Sequence, residues 1–415
     1  MRQEAALLAT LFFNFAFWHV FGNTLWFPFP LPISAVLIAA LSALLCLLFL
    51  VGPALAVYRS GNGLFPAIEA SLGAVPTHAI RLCAFWFLAL WLSDLLRRPA
   101  SWELSAILHR DTDLWDTLIA SALLLAFLAY TALQSHQTSV NLAKFTNRLA
   151  IAVLLAAVIR LHEAWATSLP MLLTTGPDSP SRFPFERFTK LAFELAPLAL
   201  LASAFAQRIG SEREALRTAA LGFATPLCAV LLLLSAINFT TFHSSFYQPS
   251  LEPDIAMALW GGAASSAIPG GFMITTITTF GAIRFGIRAI PTAVPNPRFH
   301  LPAVCAVLTG VALLVVSTPE SLIDSSIPST VLAVTTAILT ADALHNHPTP
   351  PKQIDWVATL ALLTALAVAY AIANTNADPN KSWWHPWLFP AYITAFTITL
   401  AGRKLERPQM TTTQP

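Results

Sequence analysis

The sequence predicts an all-α protein that crosses a membrane about twelve times. Three observations carry that expectation. Hydrophobic residues make up 56 % of the 415-residue chain and charged residues only 11 %, against roughly a quarter charged in an ordinary soluble domain. So few polar residues cannot cover the outside of a water-soluble fold of this size. Apolar runs of about twenty residues, the length that spans a bilayer, recur along the chain. The connections are short, the longest being 58–76, 167–186 and 239–259, so none holds a soluble domain.

The runs fall at 5–27, 31–57, 77–96, 114–135, 146–166, 187–207, 217–238, 260–288, 301–317, 325–345, 354–374 and 384–402. The first is too long for a signal-peptide core and no small-residue cleavage site closes it, so it is expected to stay as a span. The eighth is interrupted by Pro269, Gly270 and Gly271, and the ninth is short. After the twelfth, 403–415 ends in Met410-Thr411-Thr412-Thr413-Gln414-Pro415 and is expected to be a disordered tail. The whole chain, 1–415, reads as one membrane domain.

Orientation follows from Lys and Arg in short loops. With the N-terminus in the cytoplasm, most of the 23 basic residues fall on the cytoplasmic side, among them Arg59, Arg81, Arg208, Arg284, Arg288 and Arg403. An even number of spans then puts both termini there, in the cytoplasmic (inner) membrane. The net charge of +2 makes nucleic acid an unlikely partner; lipid and a small molecule are the partners expected. Cys46, Cys83, Cys228 and Cys305 lie apart within apolar runs, which argues against disulfides and a metal site.

Polar residues at membrane depth are expensive and therefore informative. Span one carries Asn14, His19 and Gly22-Asn23, where glycine weakens the helix. These either line a substrate site at a helix break or bond across a helix interface. Span six carries Glu194 and then Pro197, which removes a backbone donor and kinks the helix. Glu194 either binds a proton or cation or is a buried, protonated or paired carboxyl. Span eight carries Thr275, Thr276, Thr278 and Thr279, whose hydroxyls suit Na⁺ or simply bond their own backbone. Span three holds Trp86, Trp91 and Asp94. Asp342, at the end of span ten, reads as structural. No Walker loop, GxGxxG, HExxH or CxxC pair occurs, and no acidic or histidine cluster gathers at one interface, so an enzyme is not expected.

Spans one and six, each with a break, lie five helices apart. Two inverted five-helix repeats with broken first helices define the LeuT-type architecture. The segment Arg59-Ser60-Gly61-Asn62-Gly63, Ala70-Ser71-Leu72-Gly73, Arg81 and Trp86-Phe87 resembles the loop and third helix of the nucleobase:cation symporter-1 family, the purine, cytosine and hydantoin permeases. Gln207-Arg208 and Thr340-Ala341-Asp342 resemble that family's stretches after the sixth and tenth helices. The resemblance implies a first repeat over 5–166, a second over 187–345 and two further helices over 354–402. It also implies Trp86 as a stacking platform. The chain departs from the family at Glu69 (arginine there), Leu90 (glutamine) and Phe205 (aspartate), and no asparagine follows Thr279.

Together these readings predict a secondary active transporter that moves a small, nucleobase-like organic solute with Na⁺ or H⁺ and needs no cofactor. The solute would sit between spans one, three, six and eight, against Asn14, His19, Gly22, Trp86, Glu194 and Pro197. The cation would use Thr275, Thr276, Thr278 and Thr279. An amino-acid permease of the same fold, or a permease-derived membrane sensor or assembly subunit, are the alternatives. Substrate, coupling ion and oligomeric state stay open.

Overall fold

A computed structural model describes residues 3–13, 49–97, 100, 113–152, 195–226, 279–317, 326–345, 353–375 and 387–410. These form thirteen helices, and no strand occurs among the described residues. They are α1 (Gln3–Phe13), α2 (49–60), α3 (Leu64–Leu72), α4 (Ala74–Arg97), α5 (Leu114–Ala132), α6 (136–152) and α7 (195–202). A 3₁₀ turn, Ser203–Arg208, follows α7. Then come α8 (Glu212–Ala219), α9 (279–292), α10 (His300–Ser317), α11 (Ser326–His345), α12 (Trp356–Thr375) and α13 (Leu388–Met410). Helices α4, α5, α11 and α12 and the stretch Pro297–Val315 are each long and apolar enough to cross a membrane.

Spans three, four, nine, ten and eleven match α4, α5, α10, α11 and α12 within a few residues. Three boundaries move, each for a local reason. Helix α6 begins at 136, ahead of the apolar run, because Ser135 caps it: its Oγ accepts from Thr138 N at 3.2 Å. Helix α8 begins at Glu212 because the Ser211 hydroxyl accepts from Glu214 N at 3.2 Å, with Glu212 and Glu214 in the first turn. The third corrects the expected tail: α13 runs on to Met410, because Arg403 is buried and tied into the protein.

Helix α11 is the core element. Leu332, Ala333, Val334, Ala337, Ile338 and Leu339 are fully buried, and α4, α12 and α13 pack on it. The outer helices are the reverse. On α5, Trp115, Leu123, Phe127 and Tyr130 point outward; on α12, Trp356, Leu360, Leu363 and Tyr370 do. Water would not tolerate apolar stripes of that extent, whereas lipid does. The chain is an integral membrane protein.

One end of the bundle is stapled by ions. Arg403 of α13 pairs with Asp342 of α11 at 2.8 Å, with Asp355 ahead of α12 at 2.9 Å and with Glu406 at 3.2 Å, and donates to Ser71 O at 3.1 Å. Asp355 also caps α12 through Ala358 N at 3.1 Å. The α3–α4 corner fits against the same loop: Asp355 N donates to Leu72 O at 2.9 Å and Val75 N to Gln353 O at 3.2 Å. Gly73 makes the corner possible, since its φ is +93° and a Cβ there would lie 2.6 Å from Gln353 O. Glu69, where the resembled family has arginine, faces Arg81 at 3.7 Å. Nearby, Arg59 pairs with Glu212 at 2.8 Å and donates to Ala343 O, joining α2, α8 and α11.

Candidate functional site

At this same end, α1, the start of α6, the Ser203–Arg208 turn and α9 enclose a cleft of about 180 Å³. Helix α9 supplies one wall through a single face. Gly281, Arg284, Arg288 and Thr292 recur at steps of three and four residues, the helical spacing that stacks side chains. Helix α1 supplies the other through Glu4, Leu8 and Thr10, and Phe205 and Phe285 add aromatic wall.

Helices α1 and α9 pack closely at Thr10 and Gly281. A Cβ on Gly281 would lie 2.1 Å from the Thr10 methyl, so only glycine lets α1 and α9 approach this closely. The Thr10 hydroxyl lies 2.9 Å from Ala6 O and 3.0 Å from Asn147 Oδ1, and Asn147 Nδ2 donates to Ala6 O at 2.8 Å. These bonds latch α1 onto α6.

The rest of the cleft is basic. Arg284 Nη2 donates to Thr131 O at 3.1 Å, and Arg288 Nη1 donates to Ala132 O at 3.4 Å and to Ser139 Oγ. Both thereby cap the negative end of α5. Arg208 closes the turn at the mouth. Among the described residues that line the cleft Glu4 is the one carboxylate; it is 6 % exposed and pairs with His136 Nε2 at 3.0 Å. His136 is nonetheless held below the ordinary imidazole range. Burial is the main cause, and the guanidiniums of Arg208 and Arg288 add to it against the opposing Glu4.

Among the expected site residues, Asn14, His19, Gly22, Glu194, Thr275, Thr276 and Thr278 lie outside the described residues. Pro197 is buried in α7, and Thr279 is 2 % exposed at the start of α9. Trp86 is not brought to the cleft. It is 46 % exposed and shares an outward stripe of α4 with Val75 and Leu82. Trp91, stacked on Phe87 with centroids 6.4 Å apart, packs on Gly286, on the side of α9 away from Arg284. Asp342 pairs with Arg403 at 2.8 Å, away from the cleft lining. Cys83 and Cys305 are free thiols, and among the described residues no group of three His, Cys, Asp or Glu could hold a metal. Arg284 and Arg288 counted in the sequence only toward orientation; the Gly281-Arg284-Arg288-Thr292 period was the signal that they share a face.

No protein-family model matches the chain, and no curated protein is recognisably similar to it in sequence. Solved structures are. One is Mhp1, a nucleobase-cation-symport-1 family transporter with bromovinylhydantoin bound, at a TM-score of 0.62 and 12 % identity, over 97 % of this chain and 91 % of that one. Another is a Na⁺-coupled sialic acid symporter, at 0.56 and 12 %, over 97 % and 96 %. A third is a mutant of the Eremococcus coleocola manganese transporter, at 0.55 and 13 %, over 98 % and 93 %. The chain therefore has the LeuT-type transporter fold.

Proposed function

We propose that this protein is a secondary active transporter of a small organic solute, coupled to Na⁺ or H⁺, with the basic end of its bundle in the cytoplasm. The observation that carries this reading is the cleft between α1, α6, α7 and α9, lined by arginines and narrowed where α1 and α9 meet at Thr10 and Gly281. A polar passage in an otherwise apolar helical protein serves permeation, and alternating access requires a path open on one side and closed on the other. A flat, nucleobase- or hydantoin-like ring is the first candidate. Two things support that: the family resemblance from Arg59 to Phe87, and the likeness in fold to Mhp1. In this reading Asn14, His19, Gly22, Glu194 and Pro197 form the solute site, and Thr275, Thr276, Thr278 and Thr279 supply the cation site. The fold neighbours are transporters, which favours transport over catalysis.

The test is uptake by vesicles containing the purified protein, screening nucleobases, hydantoins and amino acids under imposed Na⁺ or proton gradients. Gradient-driven accumulation of one of them is expected, with Glu194→Gln abolishing the coupling. Folded protein that moves none of them under either gradient refutes the reading.

A further inference from the structure

The charges in the cleft do not balance. Among the described residues of the cleft, Arg208, Arg284 and Arg288 stand against Glu4 alone, and Glu4 already faces His136. Arg284 is 8 % exposed, and its Nη2 donates to Thr131 O. Its Nε is buried and has no hydrogen-bond partner; neither does His136 Nδ1. A buried donor without an acceptor is unfavourable, and a buried guanidinium without a counter-charge more so. Capping α5 accounts for part of each arginine's placement, but it leaves Arg284 Nε and the net positive charge unanswered. The aromatic walls, Phe205 and Phe285, suit a flat molecule. A planar carboxylate accepts two parallel hydrogen bonds from a guanidinium fork.

We propose that the cleft is a binding station for the anionic group of a flat organic solute, a carboxylate or oxyanion of that size, held by Arg284 with Arg288 and Arg208. The proposal deepens the transporter reading and rests on it for passage of the solute, though not for binding. It narrows the substrate class to acids. The anion enters beside Glu4 without meeting it head-on, because Glu4 is turned to His136.

The test uses the full-length protein in phosphatidylcholine nanodiscs at low salt, with binding followed by calorimetry. Orotate is compared with uracil, and benzoate with benzamide, so that each pair differs in charge while the ring is kept. The acids are expected to bind saturably and at least tenfold more tightly than their neutral partners. Arg284→Gln and Arg208→Gln should each weaken the acids at least tenfold and leave the neutral compounds unchanged. Arg213→Gln, on the exposed face of α8, should change nothing. Arg208 is exposed, so its variant keeps the test decisive if Arg284→Gln does not fold. Equal binding of acids and neutral partners overturns the proposal, as does wild-type affinity of the acids for both variants, or no acid binding at all to folded protein. If phosphatidylglycerol in the nanodisc displaces the acids completely, the station belongs to a lipid headgroup and the solute assignment falls. Intact acid binding with no uptake in vesicles would instead refute the transporter reading and leave the anion site standing.

Discussion

Arg403 and Arg284 are the same side chain, both withdrawn from solvent, in opposite electrostatic settings. Arg403 is 3 % exposed and meets three carboxylates within 3.2 Å, with a carbonyl besides. Arg284 is 8 % exposed and meets one carbonyl and a neighbouring arginine. Desolvating a guanidinium costs several kcal/mol unless charge and hydrogen bonds offset it. Around Arg403 the offset is complete, and its contacts tie α3, α11, α12 and α13 together. Around Arg284 the offset is partial, and the deficit faces a cleft. The first cluster holds the protein together; the second keeps capacity for something not of the chain.

The largest expected effect separates the two. Arg403→Met removes the counter-charge from Asp342 and Asp355 together and should destabilise by about 3–5 kcal/mol, the cost of orphaning a buried ion pair. Arg284→Gln gives up one hydrogen bond and relieves an unpaired charge, so its stability should change by about 1 kcal/mol or less. Thermal unfolding of both variants in one detergent checks this. Equal losses would mean that Arg284 is as structural as Arg403, and the comparison would fail.

Glycines sharpen it at each site. Gly73→Ala forces a side chain into a left-handed backbone, at about 1–2 kcal/mol, and pushes a methyl against Gln353 O. The total should exceed that of Gly61→Ala, which has φ +67° but open space around its Cβ. A smaller unfolding shift for Gly73→Ala than for Gly61→Ala would show that the stapled corner yields. In the cleft, Gly281→Val should overpack the α1–α9 contact, lowering the unfolding temperature by the equivalent of about 1–3 kcal/mol, and should abolish uptake by prising α1 from α9. Thr10→Ala added to it should restore part of the flux, because it removes the methyl that a new Cβ would strike. No rescue would mean that the α1–α9 contact is not what limits the flux.

The fold was legible because hydrophobic run length is a one-dimensional property: α4, α5, α10, α11 and α12 lie where the runs lie. Helix ends were less so. The starts of α6 and α8 are polar turns held by Ser135 and Ser211, which an apolar window passes over. Arg403 read as the start of a tail, because its partners are remote in sequence, Asp342 being 61 residues away. Trp86 carried a motif, yet burial is set by which stripe of α4 faces its neighbours, and that stripe holds Phe87, Leu88 and Leu92. The cleft was hidden for the same reason. Glu4, His136, Arg208 and Arg284 come from four segments, and only the spacing of Gly281, Arg284, Arg288 and Thr292 could have marked any of them.

The smallest expected effect is a titration. Burial, aided by Arg208 and Arg288, holds the folded imidazole of His136 below the unfolded value of about 6.5. Between the two values the unfolded chain binds the proton and the folded chain does not. Stability contributed here is therefore full above about pH 6.5 and declines as pH falls through that window, levelling off below the folded value. The unfolding temperature of the wild type should drop over this range more steeply than that of His136→Gln. An anion seated against Arg284 and Arg288 would offset the positive field and raise the folded value, so the same ramp with saturating benzoate should be shallower for the wild type and unchanged for His136→Gln. If benzoate left the slope as it was while still binding, the acid would offset neither Arg208 nor Arg288, and the station would have to be drawn around Arg284 alone.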